Sequence, residues 1–313
     1  MTERPPIEAT TAVPAEMSES TRSQTPVPRS KLIGWVALVV VLASISYAAN
    51  LLVSTDTVVV AATNTSPVVI TTDGEHGFAT RDTVTVRDVE GNTGANGTWE
   101  VTVRSETTLV LDGSEGSGAY TAGGTVATGD LLYRWSTVIG GVVQYGIILA
   151  IVLLIARGLA PAVLGLRAPA SWRAAAGWIA TSIVLIWIIG ALLNPFLEAG
   201  EEQGLVPDDW DPDRAAAFVA NFVVVALVAP VVEELTYRGL GFAAVQQFFG
   251  GGVAVVVTAL AFGLAHGLVI ALPVLTIFGL ILGWLRLRTK SLYPSIILHA
   301  IFNGAALLAS VTV

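Results

Sequence analysis

Cysteine is absent from the 313-residue sequence, and histidine occurs only three times. The absence of cysteine excludes disulfide bonds, cysteine-ligated metal sites and a cysteine nucleophile. Charged residues are also scarce, because they make up 13% of the chain against about 25% in soluble globular domains. The net charge of −8 argues against a nucleic-acid partner, since binding to phosphates needs basic patches. Any histidine chemistry must use His76, His266 or His299.

Long apolar runs dominate the rest of the sequence. The first follows Lys31, reads LIGWVALVVVLASISYAANLLV, and is long enough to cross about 30 Å of hydrocarbon. It lies too far from the first residue for an ordinary secretory signal and lacks a convincing cleavage site, so we interpret it as a retained anchor. Six further runs lie at roughly 136–156, 174–194, 215–235, 252–270, 272–287 and 293–311. The sequence therefore predicts a mainly α, polytopic membrane bundle of about seven transmembrane helices.

A different composition interrupts these runs between Thr55 and about Gly129. Short β-branched segments such as TVTVRDV and TTLVLD alternate there, and the dipeptides DG, GN and NG mark turns. We predict a small all-β extramembrane insert of about five or six strands. Its sequence resembles a small β-module that recurs in phage virion and other surface proteins. His76 lies beside a turn of this module, and we interpret it as a surface residue rather than a ligand.

The predicted domains follow from these changes in composition. They are a disordered tail at 1–30 rich in Ser, Thr, Pro and Glu, an anchor helix at 31–54, the β-module at 55–129 and a helical bundle at 130–313. Within the bundle, FAAVQQFFG predicts a short amphipathic helix at the membrane interface.

Basic residues set the predicted orientation across the membrane. They precede the first run and recur in two later loops, at Arg22, Arg29, Lys31, Arg157, Arg167, Arg173 and in RLRTK at 286–290. These segments are predicted on the cytoplasmic side, together with the N-terminus. The β-module and the acidic loop EAGEEQGLVPDDWDPD then lie outside.

The most unusual polar group is VVEELTYRG, which directly follows an uncharged run. A charged side chain near the bilayer centre costs about 2.5–3.5 kcal/mol on insertion, and less at a helix end. Glu234 and Arg238 are spaced i, i+4 and can pair on one helix face. This pairing leaves Glu233 without a partner, because adjacent helical residues point about 100° apart.

Two further apolar runs contain polar side chains. AFGLAHGLVI holds His266 within a predicted helix, and IILHAIFNG holds His299 and Asn303 at i, i+4. Singly, such side chains are more often hydrogen-bonding contacts between membrane helices. If the helices converge, two mechanisms are open: a zinc site with Glu233, His266 and His299 as ligands, or a metal-free site. In the second, the carboxylate takes a proton from water, while imidazole and amide groups stabilise the oxyanion.

The motifs EELTYR, FGLAH and HAIFN occur in this order across three apolar runs within 215–311. Together they resemble the CAAX prenyl protease and bacteriocin-processing (CPBP, or Abi) family of intramembrane proteases. The resemblance implies an intramembrane endopeptidase of metal-dependent or glutamate type. Its implied site residues are Glu233, Glu234, Arg238, His266, His299 and Asn303.

The same resemblance implies a role for each position. Glu233 and His266 would activate the attacking water, and His299 with Asn303 would steady the oxyanion. The second glutamate and the arginine of EELTYR would hold the shape and charge of the site. The implied partners are the lipid bilayer and a hydrophobic or lipidated peptide, in a bacterial plasma membrane, and the metal-dependent scheme adds Zn²⁺.

Two alternatives stay open. A non-catalytic scaffold or bacteriocin-immunity protein of the same fold would use these polar residues for helix packing. A transporter or proton relay would also need Glu and His within the membrane, but the sequence shows no internal repeat of the transporter kind.

The relative depth of the two membrane histidines poses a difficulty. Full crossings in strict alternation would place His266 near the outer end of its helix and His299 near the inner end. The run at 272–287 is only about 24 Å long as a helix, and Gly267 and Pro273 permit a tilt or a break. We therefore predict short, tilted helices around a water-accessible cavity lined by both histidines.

Overall fold

The computed structural model describes residues 26–53, 57–129, 131–197, 210, 212 and 214–311. These residues form the predicted fold class, a helical bundle with one small β insert. The helices are α1 (Arg29–Val53), α2 (Trp135–Ala156), α3 (Trp172–Leu197), α4 (Ala215–Val223), α5 (Ala229–Glu234), α6 (Phe242–Phe249), α7 (Gly251–Ala265), α8 (Leu272–Thr289) and α9 (Tyr293–Ser310). Most of the predicted tail, including Arg22, and most of the acidic loop lie outside the described residues.

The apolar helices fit a multi-pass membrane protein. Within the described residues, five helical stretches are long and apolar enough to cross a membrane: α1, α2, α3, the stretch Ala215–Phe249 and α8. The apolar helices α7 and α9 are shorter. Large apolar side chains cover the outer faces of these helices; Trp187, for example, is 72% exposed. Such surfaces suit contact with acyl chains rather than water.

The stretch from Ala215 to Phe249, which we call the long helix, is continuous over 35 residues. It consists of α4, α5 and α6 joined by two π-helical stretches, Val224–Val228 and Leu235–Gly241. FAAVQQFF forms the short helix α6, which is the last part of the long helix. Its first four residues are buried in the bundle and its last four are exposed; its location at the membrane interface stays a prediction. The two adjacent glutamates consequently lie inside the long helix rather than at its end.

The β insert is a closed antiparallel barrel of six strands in the order β1-β2-β5-β4-β3-β6. The strands are β1 (Thr57–Ala62), β2 (Val68–Thr72), β3 (Thr83–Arg87), β4 (Gly97–Ser105), β5 (Thr108–Leu111) and β6 (Thr125–Thr128). Alternate β-branched residues point inward, and Val68, Ile70 and Val84 are fully buried. Closure of the sheet pairs β1 with β6 and leaves no unpaired strand edge.

His76 is buried in the loop between β2 and β3, and the prediction of a surface histidine is wrong. The residue is only 4% exposed. Its Nδ1 accepts a hydrogen bond from the Phe78 amide at 3.0 Å, and its Nε2 donates to the Ser105 carbonyl at 2.9 Å. Because both ring nitrogens have backbone partners, the imidazole can be buried at little cost. These bonds give His76 a structural role in the loop before β3.

The barrel and the bundle are joined through the segment before α2. Arg134 donates from Nη2 to the Thr83 carbonyl of β3 at 2.6 Å. Asn221 of α4 donates to the Leu132 carbonyl at 2.8 Å. The first bond fixes the end of the barrel to α2, and the second fixes the linker to the long helix.

The anchor helix α1 packs closely on the long helix, and glycine is required at the contact. A Cβ atom added at Gly241 would overlap the indole ring of Trp35, which is 2% exposed. We expect Gly241→Ala to destabilise the protein by about 1–3 kcal/mol, the usual cost of overpacking. Thermal unfolding in detergent measures the change. Gly177→Ala in α3 is the matched control because a Cβ there meets nothing within 4 Å, and equal stability of the two variants would contradict the prediction.

Candidate active site

Glu234 and Arg238 form a buried ion pair at the start of the second π-helical stretch. Arg238 Nη1 lies 3.1 Å from Glu234 Oε1, and both side chains are 0% exposed. Arg238 also donates from Nη2 to the Gly279 carbonyl of α8 at 2.8 Å. Its guanidinium lies 4.7 Å from the centroid of the Phe262 ring, a distance at which cation–π attraction contributes. The pair thus ties the long helix to α7 and α8.

Glu233 points in a different direction from its neighbour. Its Oε1 accepts a hydrogen bond from the Tyr145 hydroxyl of α2 at 2.9 Å. Its Oε2 lies 3.6 Å from His299 Nε2. The Glu233 side chain is 16% exposed, whereas that of Glu234 is fully buried. Of the two adjacent carboxylates, Glu233 is therefore the one that a small molecule can reach.

His299 of α9 lies between the two carboxylates. Its Nδ1 is 3.1 Å from Glu234 Oε1, and its Nε2 faces Glu233. The imidazole packs edge-on against the rings of Phe278 and Phe262, at centroid distances of 5.2 and 5.7 Å. Aromatic walls on both sides leave the ring little freedom to rotate.

His266 follows the last residue of α7 and caps that helix, so it does not lie within an apolar helix as predicted. Its Nδ1 is 2.7 Å from the Phe262 carbonyl. A carbonyl can only accept a hydrogen bond, so Nδ1 carries a proton and Nε2 is the nitrogen that can accept one from water in the neutral ring. The ring also contacts the Phe262 ring at 4.6 Å.

Asn303 lies one turn after His299 on α9. Its Nδ2 donates to the Val225 carbonyl at 3.0 Å, within the first π-helical stretch. This bond fixes the amide group against the long helix. π-helical turns are rare and are often found at functional sites; here the first stretch supplies the carbonyl that bonds Asn303, and the second contains Arg238.

These side chains surround a cavity of about 330 Å³, which we call the first cavity. Four of the six predicted site residues line it: Glu233, His266, His299 and Asn303. The other two, Glu234 and Arg238, lie behind its wall, where they hold His299. The rest of the lining is mainly apolar and includes Phe262, Phe278 and Phe302. Since α7 ends at Ala265, its short length allows His266 to reach the cavity that His299 lines from α9.

Residues 215–305 match the family model described as type II CAAX prenyl endopeptidase Rce1-like. The match spans all three motifs and every predicted site residue. These residues form a Rce1-like domain. The recognition of a CPBP-type intramembrane protease family from the three motifs is thereby confirmed.

The barrel matches a different family model. Residues 63–128 match the model described as ubiquitin-activating enzyme E1 FCCH domain. This match spans β2 to β6 and is separate from the Rce1-like domain. No curated protein matches the chain.

Tyr145 contributes to the site of the Rce1-like domain from outside it, and the sequence reasoning missed it. It lies near the middle of α2 and lines the first cavity. The signal was the pair Gln144–Tyr145, which interrupts an otherwise apolar stretch of α2. Polar side chains at such positions usually face the interior of a bundle.

The predicted zinc ligands Glu233, His266 and His299 have the donor types that zinc prefers. Among the residues that the structure describes, however, no group of three or more His, Cys, Asp and Glu side chains is arranged to hold a metal ion. Nδ1 of His299 is engaged with Glu234, and Nδ1 of His266 with a backbone carbonyl, which leaves Nε2 of each ring as the nitrogen that could bind a metal, as in many zinc-ligating histidines. Because the three side chains are not gathered into a ligand set in this structure, we derive no step through a metal.

Proposed function

We propose that the protein is an intramembrane endopeptidase that hydrolyses a peptide bond of a membrane-associated or hydrophobic peptide with water activated by Glu233. The observation that carries this proposal is the position of the Glu233 carboxylate. It is held by Tyr145 at 2.9 Å, faces His299 at 3.6 Å and borders a mainly apolar cavity. A partly exposed carboxylate in such surroundings suits a general base.

The first step requires a water molecule near Glu233 and His266. Nε2 of His266 accepts one hydrogen of this water, and Glu233 takes the other as a proton. The hydroxide oxygen then forms a bond to the carbonyl carbon of the peptide, whose π electrons move to the oxygen. When the tetrahedral intermediate collapses, the C–N bond breaks, and the proton held by Glu233 passes to the leaving amine.

The developing oxyanion needs hydrogen-bond donors. Asn303 has a second N–H on Nδ2 besides the one that bonds Val225. His299 can donate from Nε2 only in its protonated form, because its Nδ1 hydrogen points to Glu234. The carboxylates of Glu233 and Glu234, one near each ring nitrogen, are the counter-charges that this form needs. Arg238 in turn offsets the charge of Glu234.

The lining of the first cavity supports a hydrophobic or lipidated substrate. Nine of the fourteen residues in its wall are apolar, among them Leu275, Phe278, Phe302 and Leu307 of α8 and α9. Burial of apolar substrate surface there contributes about 25 cal/mol per Å².

We further propose the orientation that the basic residues predict, with the N-terminus in the cytoplasm and the barrel outside a bacterial plasma membrane.

The presence of cleavage products distinguishes a peptidase from the alternative function, a scaffold or immunity protein. Membrane peptides are compared in cells that express the wild-type protein or Glu233→Gln. A peptidase produces cleaved peptides only with the wild-type protein. Identical peptide profiles, together with an unchanged cellular phenotype, would favour the non-catalytic function.

A zinc-dependent mechanism is tested on the purified protein. Its metal content and its peptidase activity are measured before and after treatment with a chelator. One bound zinc ion per chain, lost together with activity, would replace the metal-free mechanism with the metal-dependent one.

Tyr145→Phe is expected to lower kcat by about 10- to 100-fold with little change in KM. The variant keeps the ring but removes the hydrogen bond to Glu233, and a bond to a charged group is worth about 1.5–3 kcal/mol. Steady-state hydrolysis by the purified variant gives both constants. Tyr120→Phe in the barrel, which also loses a hydroxyl hydrogen bond, is the control. Equal kcat for the two variants would exclude a role of Tyr145 in orienting the base.

A further inference from the structure

A second cavity, of about 180 Å³, lies on another side of the candidate catalytic residues. Tyr145, Glu233 and His266 line both cavities and so form part of the wall between them. The remaining lining comes from α1, α2, the long helix and the last residue of α7: Leu42, Ser46, Gln144, Ile148, Thr236, Tyr237 and Ala265. The second cavity therefore exists only because α1 and α2 pack against the Rce1-like domain.

The two cavities differ in polarity. Seven of the ten residues that line the second cavity have a polar side chain, against five of the fourteen that line the first. A dry cavity is characteristically apolar, whereas a polar cavity holds water that hydrogen-bonds to its walls. A water molecule takes about 30 Å³ in the liquid, so the second cavity has room for several.

Gln144 indicates where water can enter. It lies near the middle of the apolar helix α2, and its side chain is exposed beside the second cavity. An amide group in contact with hydrocarbon alone would lack hydrogen-bond partners, which costs several kcal/mol by transfer estimates. A water molecule between the Gln144 amide and the second cavity would supply these partners.

The second cavity can serve the hydrolysis reaction, which needs water. Each turnover consumes one water molecule, and a hydrophobic peptide that fills the first cavity displaces water from that side of Glu233. The second cavity still reaches the same carboxylate. We propose that the second cavity stores the hydrolytic water and delivers it to Glu233 while the substrate occupies the first cavity. This inference rests on the proposed peptidase function, but its physical content, a hydrated chamber separate from the substrate cavity, is measurable without catalysis.

The absence of native cysteine makes a direct test practicable in the full-length protein. Ser46→Cys places a thiol in the second cavity, and Ser44→Cys places one two residues away on the exposed outer face of α1. Both proteins, in lipid vesicles, are treated with a small charged thiosulfonate, which reacts with hydrated thiolate. We expect labelling of Ser46→Cys to be at least about tenfold faster, because apolar surroundings keep a thiol protonated and unreactive.

A second pair of cysteine variants controls for distortion of the fold by the substitution at Ser46. Ser46 lies against Gly267, so its variant can disturb the loop that follows His266. Gln144→Cys avoids this contact, and Val143→Cys, on the outer face of α2 and 54% exposed, is its control. Equal labelling rates within both pairs would overturn the proposal.

Substrate protection distinguishes a water chamber from a peptide site. A hydrophobic peptide bound to the protein is expected to leave the labelling rate of Ser46→Cys nearly unchanged, since it occupies the first cavity. Strong protection by the peptide would show that the second cavity binds substrate, and would overturn the proposal.

The delivery of water from the second cavity to Glu233 is tested on the same labelled samples. Labelled Ser46→Cys is expected to show a lower kcat than the unlabelled variant, while labelling of the small reactive fraction of Ser44→Cys changes nothing. Full activity after complete labelling of Ser46→Cys would overturn the delivery of water from this cavity. If the wild-type protein cleaves no peptide, the proposed function fails, whereas the labelling contrast still reports whether the chamber is hydrated.

Discussion

Glu233→Gln is expected to lower kcat for peptide hydrolysis by about 10²- to 10⁴-fold, the range over which a general base contributes. Glutamine has nearly the same shape and can still accept a hydrogen bond from Tyr145, but it cannot take a proton from water. Because the side chain acts on water rather than on the bound peptide, KM should change little. A loss confined to kcat is the kinetic signature of an interaction made only in the transition state.

The measurement uses purified protein and a hydrophobic peptide that reports cleavage. Glu100→Gln is the control, since Glu100 is an exposed carboxylate on β4 of the barrel and lines neither cavity. Thermal unfolding of both variants shows whether the fold is retained. If Glu233→Gln hydrolyses the peptide at the wild-type rate, Glu233 is not the general base.

The different surroundings of the two adjacent glutamates could be predicted from the sequence. The i, i+4 spacing pairs Glu234 with Arg238, and the 100° turn between neighbours directs Glu233 elsewhere. The structure agrees, because the ion pair is fully buried and Glu233 borders a cavity. Their surroundings were predictable because the apolar runs contain so few charges that each charge needs a partner or a function.

The convergence of the three motifs required more than periodicity. Each motif alone has the composition of a helix contact, and only their order and the resemblance to a known family indicated a common site. α7 ends next to His266 because Gly267 takes a φ of +72°, the conformation that glycine favours directly after a helix. Gly267 is one of the two residues predicted to permit a break, whereas its contact with Ser46 of α1 leaves no periodic signal in the sequence.

Tyr145 and His76 show the limits of local reasoning. Tyr145 is 88 residues from its partner Glu233, and no spacing rule connects them. His76 lies beside a turn, where solvent exposure is the usual expectation, but both of its ring nitrogens have backbone partners, in its own loop and at the end of β4. The long helix extends beyond the predicted run at 215–235 to Phe249, because pairing within the bundle allows the charges of EELTYR inside the helix.

Arg238→Met is expected to destabilise the protein by about 3–5 kcal/mol, the cost of leaving a buried charge without its partner. The substitution keeps much of the side-chain volume but removes the cation from Glu234 and the donor from the Gly279 carbonyl. The loss should be larger than for any surface arginine, because neither side chain of the pair reaches solvent. Thermal unfolding in detergent measures it, with Arg104→Met on the exposed face of β4 as the control.

The double variant Glu234→Gln with Arg238→Met distinguishes the contribution of the two charges from the contribution of side-chain packing. With both charges removed, no uncompensated ion stays buried, so much of the lost stability should return, since a buried ion pair often contributes little more than an apolar pair of the same volume. Activity should not return with it, because glutamine at position 234 leaves His299 a neutral acceptor at Nδ1 but removes the negative charge beside the imidazole. Recovery of both stability and hydrolysis would mean that the pair only fills space. A single variant as stable as the wild type would mean that water reaches the pair, contrary to its full burial in the structure.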